Sequence, residues 1–183
     1  MGYTFLSSQT ASTSSSIDFT SGIDGTYNEY LFTIVNYKPV TDSKQICFQV
    51  DTGTNTNYNQ TITSTSFYAG TSDTGGWAQL VYAAGHDQAE GTALQMLTYG
   101  GESNTIPSLT SSGELRLYAP SSSTYIKHFT ASNNLIYDSS GTRYNITTHT
   151  AGYVNTTTAL TRVRFAASSD NIYTGTFTLY GVS

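Results

Sequence analysis

One cysteine, three prolines and one tryptophan occur in 183 residues, and charges are sparse. Each scarcity removes a class of protein. The single thiol, Cys47, excludes an internal disulfide and any zinc site built on several cysteines. Its neighbours Ile46 and Phe48 place it on a strand as a small packed side chain. Charged residues amount to 10% of the chain, against about 25% in an ordinary domain, so long helices laced by ion pairs are not expected. The seven basic residues are scattered and the net charge is −5. Counterion release on a phosphate backbone needs basic residues clustered, which sets aside nucleic acid and an anionic membrane surface as partners. No run nears the roughly 18 apolar residues of a spanning helix. The opening Met1-Gly2-Tyr3-Thr4-Phe5-Leu6 lacks the basic and apolar regions of a signal peptide. It also places Leu6 where a myristoylation pattern requires Ser or Thr.

What is abundant points to strands. Serine and threonine together fill 56 of 183 positions, a proportion that mucin-like stalks share. Fifteen tyrosines and eight phenylalanines argue against such a disordered chain. Threonine and tyrosine suit pleated, half-buried surfaces. Residues 1–16 end in the low-complexity run Ser7–Ser16 and have little to bury, so they are expected to form an arm that is mobile or orders against a partner. One domain is expected over 17–183, without internal repeats.

Two-residue alternation recurs through that domain. It sets Ile46, Phe48 and Val50 inward, Leu115 and Leu117 against Glu114 and Arg116, Val163 and Phe165 against Arg162 and Arg164, and Phe177 and Leu179 against threonines. Tyr30–Tyr37 is apolar on both faces, and Gln60–Ala69 sets Ile62 between threonines and ends in Phe67-Tyr68. Turn signals separate the runs at Asp51–Gly53, Asp73–Gly76, Tyr99–Gly101 and Ser168–Asn171. Over Thr124–Asn145 the pattern predicts two strands hinged at Asn133-Asn134 and a second hinge near Ser140-Gly141. Trp77–Met96 holds the best helical composition, but Gly85 and Gly91 interrupt it, each at about 1 kcal/mol. The expectation is an all-β protein: an antiparallel two-sheet β-sandwich of jelly-roll type, about ten strands, with little or no helix.

Chemistry-bearing residues are few. Gly85–Gly91 gathers His86, Asp87 and Glu90, groups able to serve as acid, base or metal ligand. Their spacing fits no zinc-protease or calcium-loop pattern, and the flanking glycines mark a polar loop. No nucleophile elbow or phosphate-binding glycine loop is present. His128 and His149 fall on strands as sheet-surface or interface side chains. No catalytic residue, metal site or cofactor is therefore assigned. A sugar-binding reading needs an exposed aromatic beside amide and carboxylate groups; Trp77, Tyr82, Tyr68 and Asp73 are the candidates. Three N-x-S/T sequons, at Asn59, Asn145 and Asn155, are as many as chance supplies among eleven asparagines in so Ser/Thr-rich a chain.

Ordered blocks carry a resemblance. They are Ile17–Tyr27 running into Tyr30–Pro39, then Thr61–Phe67, Asp87–Leu94, Ser112–Pro120 with Ile126–Phe129, and Val163–Phe165 through Asn171-Ile172 to Gly175–Gly181. In that order they resemble a family of small β-rich proteins encoded among the structural genes of tailed bacteriophages, particularly those infecting marine cyanobacteria. The resemblance covers most of 17–182, and its closing block is the most characteristic. It implies a non-enzymatic protein on the virion exterior, acting on other virion proteins as capsid decoration or cement, or as a tail or fibre accessory. It brings no catalytic residue. A homo-oligomer, guessed on architecture to be a trimer, is expected. The alternative is a lectin-like module that binds a host-surface glycan.

Overall fold

The computed structural model describes residues 2–100 and 106–183, and among them there is no helix, so none long and apolar enough to cross a membrane. The turn expected at Tyr99–Gly101 lies partly outside the described residues. The described residues form twelve strands in two antiparallel sheets: β1 (Tyr3–Ser14), β2 (Ile17–Phe19), β3 (Glu29–Pro39), β4 (Ile46–Thr52), β5 (Ile62–Ser72), β6 (Ala78–Tyr82), β7 (Gln95–Met96), β8 (Ser111–Tyr118), β9 (Lys127–Ser139), β10 (Thr142–Val154), β11 (Leu160–Ala167) and β12 (Ile172–Val182). The large sheet runs β1-β12-β3-β8-β9-β10-β5-β6 and the small one β2-β11-β4-β7.

From β2 onward the chain alternates between sheets in the jelly-roll manner. Taking the β8–β9–β10 meander as one position, β2 to β11 occupy eight positions; the small sheet then reads first, last, third, sixth and the large one second, seventh, fourth, fifth. β12 and β1 extend the large sheet past β3. The strand count exceeds the expected ten because this meander and extension widen one sheet.

Alternation builds the core. Phe19, Phe48 and Phe165 of the small sheet meet Phe32, Phe129 and Phe177 of the large one, with ring centroids 5.3 Å apart for Phe19–Phe32, 5.6 Å for Phe32–Phe165 and 4.9 Å for Phe48–Phe129. These tilted and edge-on contacts suit the ring quadrupoles. Strand β4 is buried on both faces, because the side chains opposite its core face are covered by loops. Buried Gln49 donates to the carbonyls of Gln60 and Ala93, at 2.9 and 3.1 Å, and buried Asp51 accepts the Tyr58 N–H at 2.8 Å. Cys47 is a buried strand residue, as its neighbours indicated.

Two expectations are corrected. The 1–16 stretch is not an arm awaiting a partner: Tyr3–Ser14 pairs antiparallel with β12 from Tyr3↔Val182 to Ser14↔Ile172. It is anchored by buried Ala11 and by Gln9, whose Nε2 donates to the Asp18 carbonyl at 2.8 Å. Side-chain hydroxyls need not be buried for a strand to form; an available backbone edge suffices. Nor does the chain hinge at Asn133-Asn134. Strand β9 runs straight through, with Asn133 buried and the Asn134 amide donating to Asn145 Oδ1 (2.8 Å) and Thr147 Oγ1 (3.1 Å) of β10. The turn sits at Ser140-Gly141, where positive φ at both residues gives the two-residue hairpin that matches strand twist.

Candidate functional site

The four residues singled out for sugar contact do not converge. Along β5, Ser64, Ser66 and Tyr68 point toward the interior, and Thr65, Phe67 and Ala69 point outward. Tyr68 stacks on Tyr99 at 3.7 Å with planes 13° apart, and its hydroxyl donates to Gln79 Oε1 at 3.3 Å. Burial pushes its pKa up to about 12. Trp77, between β5 and β6, is half-buried in the same layer. Its ring lies where a Cβ on Gly70 would fall and meets Tyr144 edge-on at 5.5 Å. Together with Ala83, Leu135, Ile146 and Tyr137, these rings form a second small core. Asp73 is used at the β5–β6 turn, where its Oδ1 accepts the Arg143 N–H at 3.2 Å. Tyr82 alone of the four presents an open ring, 54% exposed.

The His86–Glu90 segment continues the line of β6 along β5 as an irregular edge. Ala83 N donates to the Ser66 carbonyl (2.8 Å), Ser64 N to the Gln88 carbonyl (2.9 Å) and Gly91 N to the Ile62 carbonyl (2.9 Å). Buried Gln95 locks it from below: its Nε2 donates to the His86 carbonyl at 2.7 Å and its Oε1 accepts the Ser64 hydroxyl at 2.6 Å. The His86 ring lies 4.9 Å from Tyr99, and burial lowers its pKa. Asp87 accepts the Tyr82 hydroxyl, which raises the pKa of that phenol, while Glu90 stays exposed. The three groups therefore serve different neighbours. Among the described residues no set of three or more His, Cys, Asp or Glu side chains is placed to hold a metal.

What the fold does assemble lies on the opposite, outer face of the same strands. Phe67 of β5 stands between Tyr82 of β6 and His149 of β10 in cross-strand register. Its ring stacks on the imidazole of His149 at 5.2 Å, planes 28° apart, and is 45% exposed. The three rings form a ridge across the strands. On one side lies a depression of about 500 Å³ lined by Ala69, Thr71, Ala78, Leu80, Asn145 and Thr147. On the other lies one of about 360 Å³ lined by Thr63, Thr65, His128, Thr130, Ala151 and Tyr153. Small side chains make the floors: Ala69 pairs with both Thr147 and Leu80, and Ala151 with Thr65 and Thr130.

No protein-family model matches the chain, and no match was found among curated proteins or solved structures. The site rests on its own geometry. Sequence reasoning named Tyr82 and set His149 on a sheet surface but joined neither to Phe67, which lies far from His149 in the chain and meets it only through register. One signal was available: with Ile62 inward, a two-residue period turns Phe67 to solvent.

Proposed function

We propose that this chain is a non-enzymatic structural protein on the exterior of a tailed-phage particle, acting through contacts with other virion proteins as capsid decoration or cement, or as a tail or fibre accessory. The ordered sequence blocks favour it, and β1 carries it. Natural sheets blunt their edges with charge, proline, brevity or a bulge, because an open edge is a template for another chain. Strand β1 is twelve residues long, without a charge or a proline, and among the described residues no strand pairs with its far side. Its register shifts between Phe5 and Ser7 and then runs unbroken from Ser7 to Ser12. Tyr3 and Phe5, both more than half exposed, add apolar anchors at one end.

Among the described residues the large sheet is open at both ends, at β1 and at β6. Pairing of β1 with β6 of the next copy is a head-to-tail contact, which a closed trimer requires; sedimentation of the purified chain tests it, a monomer mass ruling that contact out. The primary test is copy number in purified particles, by quantitative mass spectrometry normalised to the major capsid protein. Hundreds of copies would mean capsid decoration or cement, and a few to a few dozen a tail component. Complete absence from the particle would overturn the reading.

A further inference from the structure

The ridge on the outer face differs in chemistry from the open edges. Its rings stand in hydroxyl- and amide-bearing surroundings, and among the described residues no charged side chain lines either depression. In the larger hollow, Asn145 has its Oδ1 occupied by the Asn134 amide, which leaves its own NH2 to donate outward. Thr147 Oγ1 accepts from the same Asn134 amide and keeps its hydrogen to donate. Thr71 and Leu80 close the rim. In the smaller hollow Thr65 and Thr130 flank Ala151, with Tyr153 and His128 at the far end. From Thr63 to Thr71 the face spans on the order of 26 Å along β5 at the rise of an extended strand.

An aromatic ridge between two hollows lined by hydroxyls and an amide matches one kind of ligand well. A sugar chain offers apolar C–H faces to stack on rings, and hydroxyls to exchange hydrogen bonds with Thr and Asn. A protein partner would call for one continuous apolar centre, whereas beyond the three rings and Leu80 the large apolar side chains of this face, Tyr153 and Ile136, fall at its opposite ends, level with Thr63 and Thr71. The absence of lysine and arginine from the lining argues against a uronate or sulfated chain, whose charge needs a counter-ion. We propose that the outer face of β9–β10–β5–β6 is a binding site for a neutral oligosaccharide, laid along β5 across Phe67, Tyr82 and His149. The site is independent of where the protein sits on a particle, and is separate from the Trp77–Tyr68 cluster.

Affinity electrophoresis of the full chain tests it directly, with soluble mannan, galactan and mixed-linkage glucan cast into native gels beside alginate and a sulfated galactan. The expected result is retardation by at least one neutral polysaccharide and none by the acidic ones. Phe67→Ala and Tyr82→Ala should each weaken that retardation about tenfold or more, the scale of one lost stacking contact. Trp77 fluorescence reports that each variant is still folded, and Asn145→Ala, which leaves the ridge intact, should weaken binding by a smaller factor. Retardation by none of the neutral chains overturns the proposal, as does retardation only by the acidic ones. Retardation indifferent to Phe67 and Tyr82 overturns it too. Loss of particle incorporation in Phe67→Ala, with no sugar binding in the wild type, would assign the ridge to a protein partner instead. Because particle copy number is measured separately, either proposal can fail while the other stands.

Discussion

Two glycine-to-alanine substitutions test the packing, because the same chemical change should move stability in opposite directions. Gly152 lies near the C-terminal end of β10, between β9 and β5. A Cβ there would fall 2.4 Å from the Thr63 carbonyl oxygen, 2.9 Å from Phe129 Cζ and 2.9 Å from Ser64 Cα. Carbon atoms in ordinary contact lie about 3.5–4.0 Å apart, so the strands would have to part by on the order of 0.6 Å or more. Two of these obstacles are backbone, and Phe129 is fully buried against Phe48. Overpacking of this kind costs about 1–3 kcal/mol, while the reduced freedom of the unfolded chain returns about 0.4–1 kcal/mol. Given backbone obstacles, the net expectation for Gly152→Ala is a loss of about 2 kcal/mol, roughly thirtyfold in the folding equilibrium. Gly85 meets nothing within 4 Å and does not need the left-handed region. For Gly85→Ala only the unfolded-state term acts, giving a gain of about 0.4–1 kcal/mol. Urea unfolding followed by the fluorescence of Trp77 measures both. Gly152→Ala no less stable than the wild type would refute the placement of β5 and Phe129 against that backbone. A destabilised Gly85→Ala would refute the loop geometry before β7.

Two further outcomes follow from particular groups. Tyr68 titrates near 12 when folded and near 10 when unfolded, so between those values the unfolded chain loses a proton the folded one keeps, and stability falls as pH rises. Desolvation raises the phenols of buried Tyr30 and Tyr58 and of half-buried Tyr137 in the same direction; Tyr68→Phe should flatten part of this alkaline decline, and an unchanged slope by urea titration at pH 9 to 12 would contradict the burial of that phenol. Deleting residues 1–14 strips β1 from β12 and removes Ala11 and half-buried Leu6 from the core edge. That should cost on the order of 2 kcal/mol of burial, seen as a lower urea midpoint, whereas an unpaired arm would leave the midpoint where it was.

Fold class was legible because the domain obeys one rule almost throughout. Alternation in β8, β11 and β12 gave the right faces, since one side of each meets the opposite sheet. The rule failed where polar side chains were asked to reveal pairing. Ser7–Ser16 has no apolar period because β1 meets the core only at its edge, through Leu6 and Ala11, and its stability comes from the ladder with β12. Asn133-Asn134 resembles a turn by residue type, yet each asparagine finds a place in a central strand. One is buried, and the other bridges to the neighbouring strand. Propensity describes a residue alone, and these two are decided by their neighbours.

The candidate site was less legible for a related reason. A linear reading looks for aromatic and polar groups close in sequence, and Trp77, Tyr82, Asp73 and Tyr68 satisfied that search. A β-strand sends successive side chains to opposite faces, and the ladder joins distant segments on each. Sequence proximity therefore separated Tyr68 from Tyr82, while register joined Tyr82 to Phe67 and Phe67 to His149, 82 positions downstream of it. The same logic explains His86, Asp87 and Glu90, which look like a catalytic cluster in one dimension. In three dimensions they are spent on Tyr99, on Tyr82 and on solvent. On a sheet protein of this composition, the informative surface residue is the large apolar side chain that falls on the polar phase of its own strand. Phe67 is that residue in β5, flanked in phase by Thr65 and Ala69, and its ring, 45% exposed, belongs to neither core cluster and stacks instead on His149 of the neighbouring strand.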